Sequence, residues 1–311
     1  MRTTRWRRFV ALLFALVLVA AACGDDDETE TTDGGSTETT AGSEDKPSIT
    51  VGSADFAEST IVASMYAQVL EANGYDVSTE FGIGAREVYF PALESGEIHL
   101  IPEFLASATA YLEGDGANDL DEARSALEGV LPDGLVALTP APAQSTNVFV
   151  VTQATADEYG LSKVSDLQGR DLVLGGPPEC PQRPFCIPGL KETYDVDLSA
   201  GFRPLDVGGP ITKQALTDGE IDIALLFSTD PGIPANGWVI LEDDQGLQQA
   251  ENVVPVIRED VLTDEVEELI NSISELLTDE EYVELIGRVY IDGEEAETVA
   301  GDWLREKGLL E

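Results

Sequence analysis

The sequence predicts an α/β protein of two lobes, each lobe a mixed, mostly parallel sheet flanked by helices. Three observations carry that prediction. Short apolar stretches alternate with amphipathic ones from residue 48 onward, and the alternation restarts near residue 146. One frame also occurs twice. "ALESGEIHLIPEF" (92–104) and "ALTDGEIDIALLF" (215–227) share A-L-x-x-G-E-I-x-x-x-x-x-F at an offset of 123 positions.

In chain order, "SITVGSA" (48–54) reads as a strand, and residues 58–74 carry apolar side chains at helical spacing with Gly74 as the stop. Residues 75–84 form the next strand, 85–96 a helix with Pro91 inside it, and 97–104 a third strand. Strand, helix, strand, helix, strand in that order implies crossover helices and parallel pairing. The second round runs through strands at 146–152 and 171–178, helices at 188–194 and 209–219, and a buried strand at 220–227. Two further apolar stretches (237–244 and 253–260) lead to a helical tail from Thr263 to the end. The chain should pass between the lobes near 143–147 and again near 236–239. Residues 47–143 with 239–311 would then make one lobe and 144–238 the other. Each copy of the repeated frame reads as a helix end, a glycine suited to the left-handed cap, and a strand. Ligands of open parallel sheets bind beyond the carboxyl ends of the strands. Phe104 and Phe227 occupy such ends, one per lobe, and could face each other across a cleft; plain core packing is the alternative for both.

The N-terminus indicates export. Arg2, Arg5, Arg7 and Arg8 precede the apolar run 9–22. That run is short for a bilayer span, which takes roughly 20 residues, and has the three parts of a secretory signal. Cys23 follows "AAA" directly, a pattern that resembles the bacterial lipobox, in which the cysteine is lipidated. Residues 1–22 are thus expected to be a lipoprotein signal peptide. Residues 23–46 are expected to be an acidic tether, since after Cys23 they hold no apolar residue larger than Ala whose burial could offset ordering entropy. The protein is expected outside the cytoplasm, held to the membrane by lipid.

Sixty Asp and Glu against 17 Lys and Arg give a formal net charge of −43. Such a surface repels phosphate backbones, so no nucleic-acid partner is expected, and it does not favour anionic lipid either. Cys180 and Cys186, close together in an exported protein, read as a disulfide. His99 is the one histidine. A structural zinc site needs about four Cys or His ligands, so neither metal nor cofactor is expected. The chain has no G-x-S-x-G elbow and no other histidine to serve a nucleophile, which weighs against catalysis. An extracellular hydrolase on a two-lobed frame is the lesser reading. A sensing receptor would continue through a membrane span into a signalling domain, and residues 24–311 contain neither pattern.

Five stretches in order resemble one family. "VGSADFAES" (51–59) is similar to its G-S-K-N-F-T-E-Q, and "GEIHLIPEFLASA" (96–108) to G-E-I-D-L-Y-P-E-Y-T-G-T. "CPQRPFCIPGL" (180–190) is similar to R-x-D-G-x-P-G-L, and "GEIDIALLFSTDPGI" (219–233) to a strand ending A-Y-S-T-D-G. The tail stretch "LTDEEYVELIGRV…VAGDWLREKGLL" (277–310) is also typical. The chain therefore resembles the substrate-binding proteins of ATP-binding-cassette importers for glycine betaine, choline and related osmolytes.

The resemblance implies a type II periplasmic-binding-protein fold, a Venus flytrap that closes on one small zwitterion and then docks on a membrane permease, with no enzyme activity and as a monomer. It implies a ring cage for the ammonium group, each well-placed ring contributing roughly 0.5–2 kcal/mol. Phe104 and Phe227 stand where the family has cage tyrosines, Ser107 where it has a carboxylate-binding threonine, and Arg183 where it has a carboxylate arginine able to grip two oxygens. A surface ion pair is the alternative for Arg183. Asn147 replaces another cage tyrosine, and Ala54 replaces the lysine. Tyr66, Tyr111 or Trp238 could supply a further wall, or could simply be core. Asp55 could accept from an ammonium N–H, or serve the following helix N-terminus. Asn147 and Asp55 together suit a primary or secondary amine, so a different zwitterion, such as an amino acid derivative, is the alternative ligand. His99 stands where the family has Asp and reads as packed or surface, not catalytic.

Overall fold

A computed structural model describes residues 46–311. The expected leader (1–22), Cys23 and residues 24–45 lie outside the described residues. The described residues belong to one compact unit.

The elements run β1 (Ile49–Gly52), α1 (Ala57–Ala72), β2 (Val77–Glu80), α2 (Arg86–Ser95), β3 (Leu100–Phe104), α3 (Leu105–Tyr111), α4 (Leu120–Glu128) and β4 (Leu135–Ala137). After a crossing come β5 (Asn147–Val151), α5 (Gln153–Tyr159), β6 (Leu174–Gly176), α6 (Ile187–Tyr194), β7 (Arg203–Pro204), α7 (Pro210–Thr217), β8 (Ile223–Phe227), α8 (Gly232–Asn236) and β9 (Val239–Ile240). The return brings β10 (Val253–Arg258) and the tail helices α9 (Asp264–Leu276), α10 (Asp279–Tyr290) and α11 (Ala296–Glu306).

Two five-stranded sheets result, ordered β2-β1-β3-β10-β4 and β7-β6-β8-β5-β9. In the first, β1 lies parallel to β2 and β3, while β10 runs antiparallel to β3 and β4. In the second, β6 lies parallel to β7 and β8, while β5 runs antiparallel to β8 and β9. The strand that arrives from a crossing is in each case the antiparallel one, so each sheet is mixed and mostly built from crossover units.

The second crossing lies later than the sequence suggested. Val239–Ile240 pairs with β5 in the second sheet, and Leu241 and Leu247 pack into the second lobe's core. The chain rejoins the first sheet at Val253, so the passage runs through 241–252 rather than 236–239. A two-residue strand near the start of the apolar stretch 237–244 holds it in the second lobe. The first crossing lies between β4 and β5, and Gln144 pairs with Asn252 where the two passages run side by side.

Burial explains α1. Ile61, Val62, Met65, Tyr66, Val69 and Leu70 are all essentially inaccessible, because the helix sits between the sheet and the tail helices. Val266, Ile270, Ile273, Tyr282, Val299 and Leu304 of that tail join the same core. Thr263 and Thr278 cap α9 and α10, their hydroxyls accepting from Val266 N (3.2 Å) and Glu281 N (3.3 Å). The tail is thus a cover for the first lobe, folded by the apolar period visible in its sequence.

Candidate ligand-binding site

A cavity of about 320 Å³ opens between the lobes. β3 ends on Phe104 and β8 on Phe227, and both rings line it. A third ring, absent from the sequence-based candidates, joins them. Phe56, just before α1, stands 5.8 Å from Phe104 and 5.4 Å from Phe227, ring centre to ring centre, with interplanar angles of 33° and 30°. Phe56 lies inside the "VGSADFAES" stretch, whose local pattern gives no sign that this ring reaches the cavity. Tyr89, Tyr111 and Phe185 also line the cavity. Tyr111 shares its face with Phe90 at 5.2 Å. Tyr66 is buried within the first lobe, and Trp238 packs against the second lobe's core, so neither is a wall.

Asp55, Ser107, Asn147 and Arg183 all line the same cavity. Asn147 opens β5 and is the backbone partner of Phe227. The polar pair expected to hold a carboxylate is otherwise engaged. Arg183, in the second lobe, donates to Glu87 of α2 in the first (2.9 Å), with both side chains partly exposed. Ser107 gives its hydroxyl to Glu251 Oε1 and its backbone N–H to Glu251 Oε2 (3.2 Å). Ala54 is 3 % exposed and offers no charge.

Glu251 was missed because nothing marks a lone acid within "QGLQQAENVV". It lies on the second crossing and is 2 % exposed. Burial pushes its carboxyl up to about 7, against the pull of the Ser107 hydrogen bond and of the Arg86 charge. Beneath it, Arg86 reaches Glu103 with Nε (3.0 Å) and Nη2 (2.8 Å), and Tyr89 Oη adds a donor to Glu103 at 2.9 Å. The Glu103 carboxylate also accepts from Phe104 N (3.1 Å). This buried fork fixes the end of β3, and with it the first ring.

Cys180 and Cys186 are joined by a disulfide, their Cα atoms 5.3 Å apart, and the bridged turn carries Arg183. Gly189 of the P-G-L motif, in α6, packs against that turn with no room for a side chain. A Cβ there would lie 1.9 Å from the Pro184 carbonyl oxygen. The S-T-D motif after Phe227 likewise has structural duties. Thr229 Oγ1 lies 2.9 Å from Ser145 Oγ on the first crossing, and Asp230 holds Lys213 at 2.7 Å. His99 is packed on the sheet, its Nδ1 accepting from Thr50 N at 2.9 Å, and burial holds its imidazole below the ordinary range.

Residues 47–306 match the family described as the substrate-binding domain of ABC-type glycine betaine transport systems (OpuAC). The chain belongs to that family. As a member, it is a transport substrate-binding protein of an ABC importer for glycine betaine and related osmolytes, not a member of an enzyme family. It is 26% identical over 276 residues to the glycine betaine-binding protein YehZ of Escherichia coli (strain K12), covering 84% of this chain and 90% of that one. It is 27% identical over 292 residues to the glycine-betaine-binding protein of Pseudomonas aeruginosa, covering 87% and 91%. A solved glycine betaine/carnitine/choline ABC transporter protein has the same fold, with a TM-score of 0.65 at 23% identity over 85% of this chain and all of that one. Proteins of this OpuAC family work outside the cytoplasm. Among the described residues no helix is long and apolar enough to cross a membrane, and no group of three or more His, Cys, Asp or Glu could hold a metal.

Proposed function

We propose that the chain is the lipid-anchored, ligand-capturing subunit of its importer. It takes a small ammonium osmolyte of the betaine class into the interlobe cavity and delivers it to the membrane permease. One observation carries this reading: rings from two lobes, Phe104 and Phe227, meet through Phe56 over a shared cavity. A methylated ammonium group donates no hydrogen bond, so ring faces can replace its water at little cost while contributing cation–π attraction. Free energy gained at both rings draws the lobes together, the hinge closure known for binding proteins of this shape. Lipid at Cys23 would keep the chain near its permease, and palmitate labelling lost in Cys23→Ala would bear this out.

The test is calorimetric titration of the full chain with glycine betaine, choline, carnitine, ectoine and amino acids. Binding of one or more ammonium osmolytes, weakened in Phe104→Ala, is the expected result. Preference for an amino acid with no response to loss of the ring would favour the alternative zwitterion. The disulfide limits the excursions of the turn that carries Arg183. Cys180→Ser with Cys186→Ser is therefore expected to loosen binding and lower the melting temperature, and unchanged values in both would reject that role.

A further inference from the structure

The cavity that holds the rings carries an uneven set of charges. Its two cations are both committed, Arg183 to Glu87 and Arg86 to the buried Glu103. Asp55, Glu113, Glu179 and Glu251 line the same space, and among the described residues no Lys or Arg forms a salt bridge with any of them. One oxygen of Glu179 is fully buried with no hydrogen-bond partner. The wall that a zwitterion's carboxylate should meet is therefore short of free positive charge and holds an excess of acids.

Glu251 is the best placed of the four. Its backbone is laced into the site: Glu251 O accepts from Ser145 N (3.0 Å), and its neighbours Ala250 and Asn252 accept from Ala106 N (3.1 Å) and Leu105 N (3.2 Å). Two bonds from Ser107 occupy part of the carboxylate, whose two oxygens offer about four acceptor positions. The groups that face it are Ser107 of α3, Arg86 of α2, Glu103 of β3, and, lining the cavity, Asp55, Asn147, Glu179 and Arg183. We propose that Glu251 is a specificity-determining residue of this cavity, favouring an ammonium ligand that bears net positive charge and a hydrogen-bond donor over one that ends in a carboxylate. The inference rests on the ammonium reading of the ring cage above.

Its chemistry reverses with protonation. Ionised, Glu251 accepts the ligand's donor, attracts its charge and repels a carboxylate. Protonated, it is neutral and can itself donate to a carboxylate oxygen. Burial sets the changeover at about 7. Cation binding should therefore gain as pH rises through that value, and zwitterion binding should gain as pH falls through it.

Choline and glycine betaine serve as the probe pair, since both carry trimethylammonium and they differ in the hydroxyl or carboxylate end. Titrating the full chain with each at about pH 6 and about pH 8 is expected to improve choline relative to betaine by about tenfold at the higher pH, the scale of one hydrogen bond to a charged group. In Glu251→Gln the choline-to-betaine Kd ratio is expected to lose that pH dependence and to shift toward betaine. The pH comparison uses the native chain, so it stands even where the variant folds poorly. If both ligands bind and their ratio ignores pH and the substitution, the role of Glu251 is overturned while the ring cage survives. If neither binds at either pH, the cage reading itself falls and takes this inference with it.

Discussion

Residues 92–104 and 215–227 build the same device in the two lobes, and the places where they part company show what each lobe is for. In both, the helix closes with identical bonds: Glu97 N and Ile98 N donate to Ala92 O (2.9 and 3.2 Å), Glu220 N and Ile221 N to Ala215 O (2.9 and 3.3 Å). The intervening glycines, Gly96 and Gly219, sit at φ +82 and +69. The strand that follows ends on a ring and is flanked by an antiparallel strand from the crossing, so Phe104 faces Val253 and Phe227 faces Asn147. Even His99 and Asp222, chemically unlike, hold one position and one task. Thr50 N donates to His99 Nδ1 (2.9 Å), and Val173 N donates to Asp222 Oδ2 (2.8 Å). What the frame demands there is an acceptor for the neighbouring strand's N–H, which a neutral imidazole supplies as a carboxylate does.

The copies differ one residue before the ring. Glu103 is a fully buried charge forked to Arg86, whereas its counterpart Leu226 is ordinary core. They differ again after it. Phe104 runs straight into α3, which delivers Ser107 to Glu251, while Phe227 is followed by the S-T-D turn that ties to Ser145 and Lys213. The first lobe therefore contributes the polar floor of the cavity. The second contributes an apolar plate and the bridged turn with Arg183. A repeat used twice for scaffolding has been loaded with chemistry once.

The strongest way to break the comparison is to make the first copy resemble the second. Glu103→Leu strands the Arg86 guanidinium and should cost about 3–5 kcal/mol in denaturant unfolding, with most of it regained in the double variant Arg86→Met/Glu103→Leu. If the single variant unfolds like the native chain, the fork does not hold the site. Next come the caps. Gly96→Ala and Gly219→Ala should each lose about 1–2 kcal/mol from forcing a side chain into the left-handed region. The loss should be greater at Gly96, where the added Cβ would lie 3.3 Å from Arg258 Cζ, than at Gly219, where nothing lies within 4 Å. Melting temperatures ranked the other way would refute the packing account.

The rings follow. Phe104→Ala and Phe227→Ala should each weaken ammonium binding by about 0.5–2 kcal/mol, and Phe56→Ala, whose ring touches both, by no less than either. Full affinity in all three would return them to core packing. The smallest effect is expected from His99→Asp, which installs the second copy's acceptor and should move stability by no more than about 0.5 kcal/mol. Removing the acceptor with His99→Leu should cost about 1–3 kcal/mol, since the Thr50 N–H is left without a partner. Equal effects from the two substitutions would show that His99 is not an acceptor.

The sequence by itself determined the two-lobed α/β plan, because hydrophobic period, glycine stops and the repeated frame are local quantities that survive without coordinates. It also placed Phe104 and Phe227 at strand ends and paired Cys180 with Cys186, positions that follow from strand ends and short spacing. Only the tertiary structure decided that Phe56 joins the ring set, that Ser107 donates to Glu251, and that the second crossing waits until 241–252. Those facts depend on which side chains from distant segments reach the same small volume. Residues 56 and 251 lie outside the frame that ends on 104 and 227, and no periodicity or propensity encodes a contact that only packing of both lobes creates.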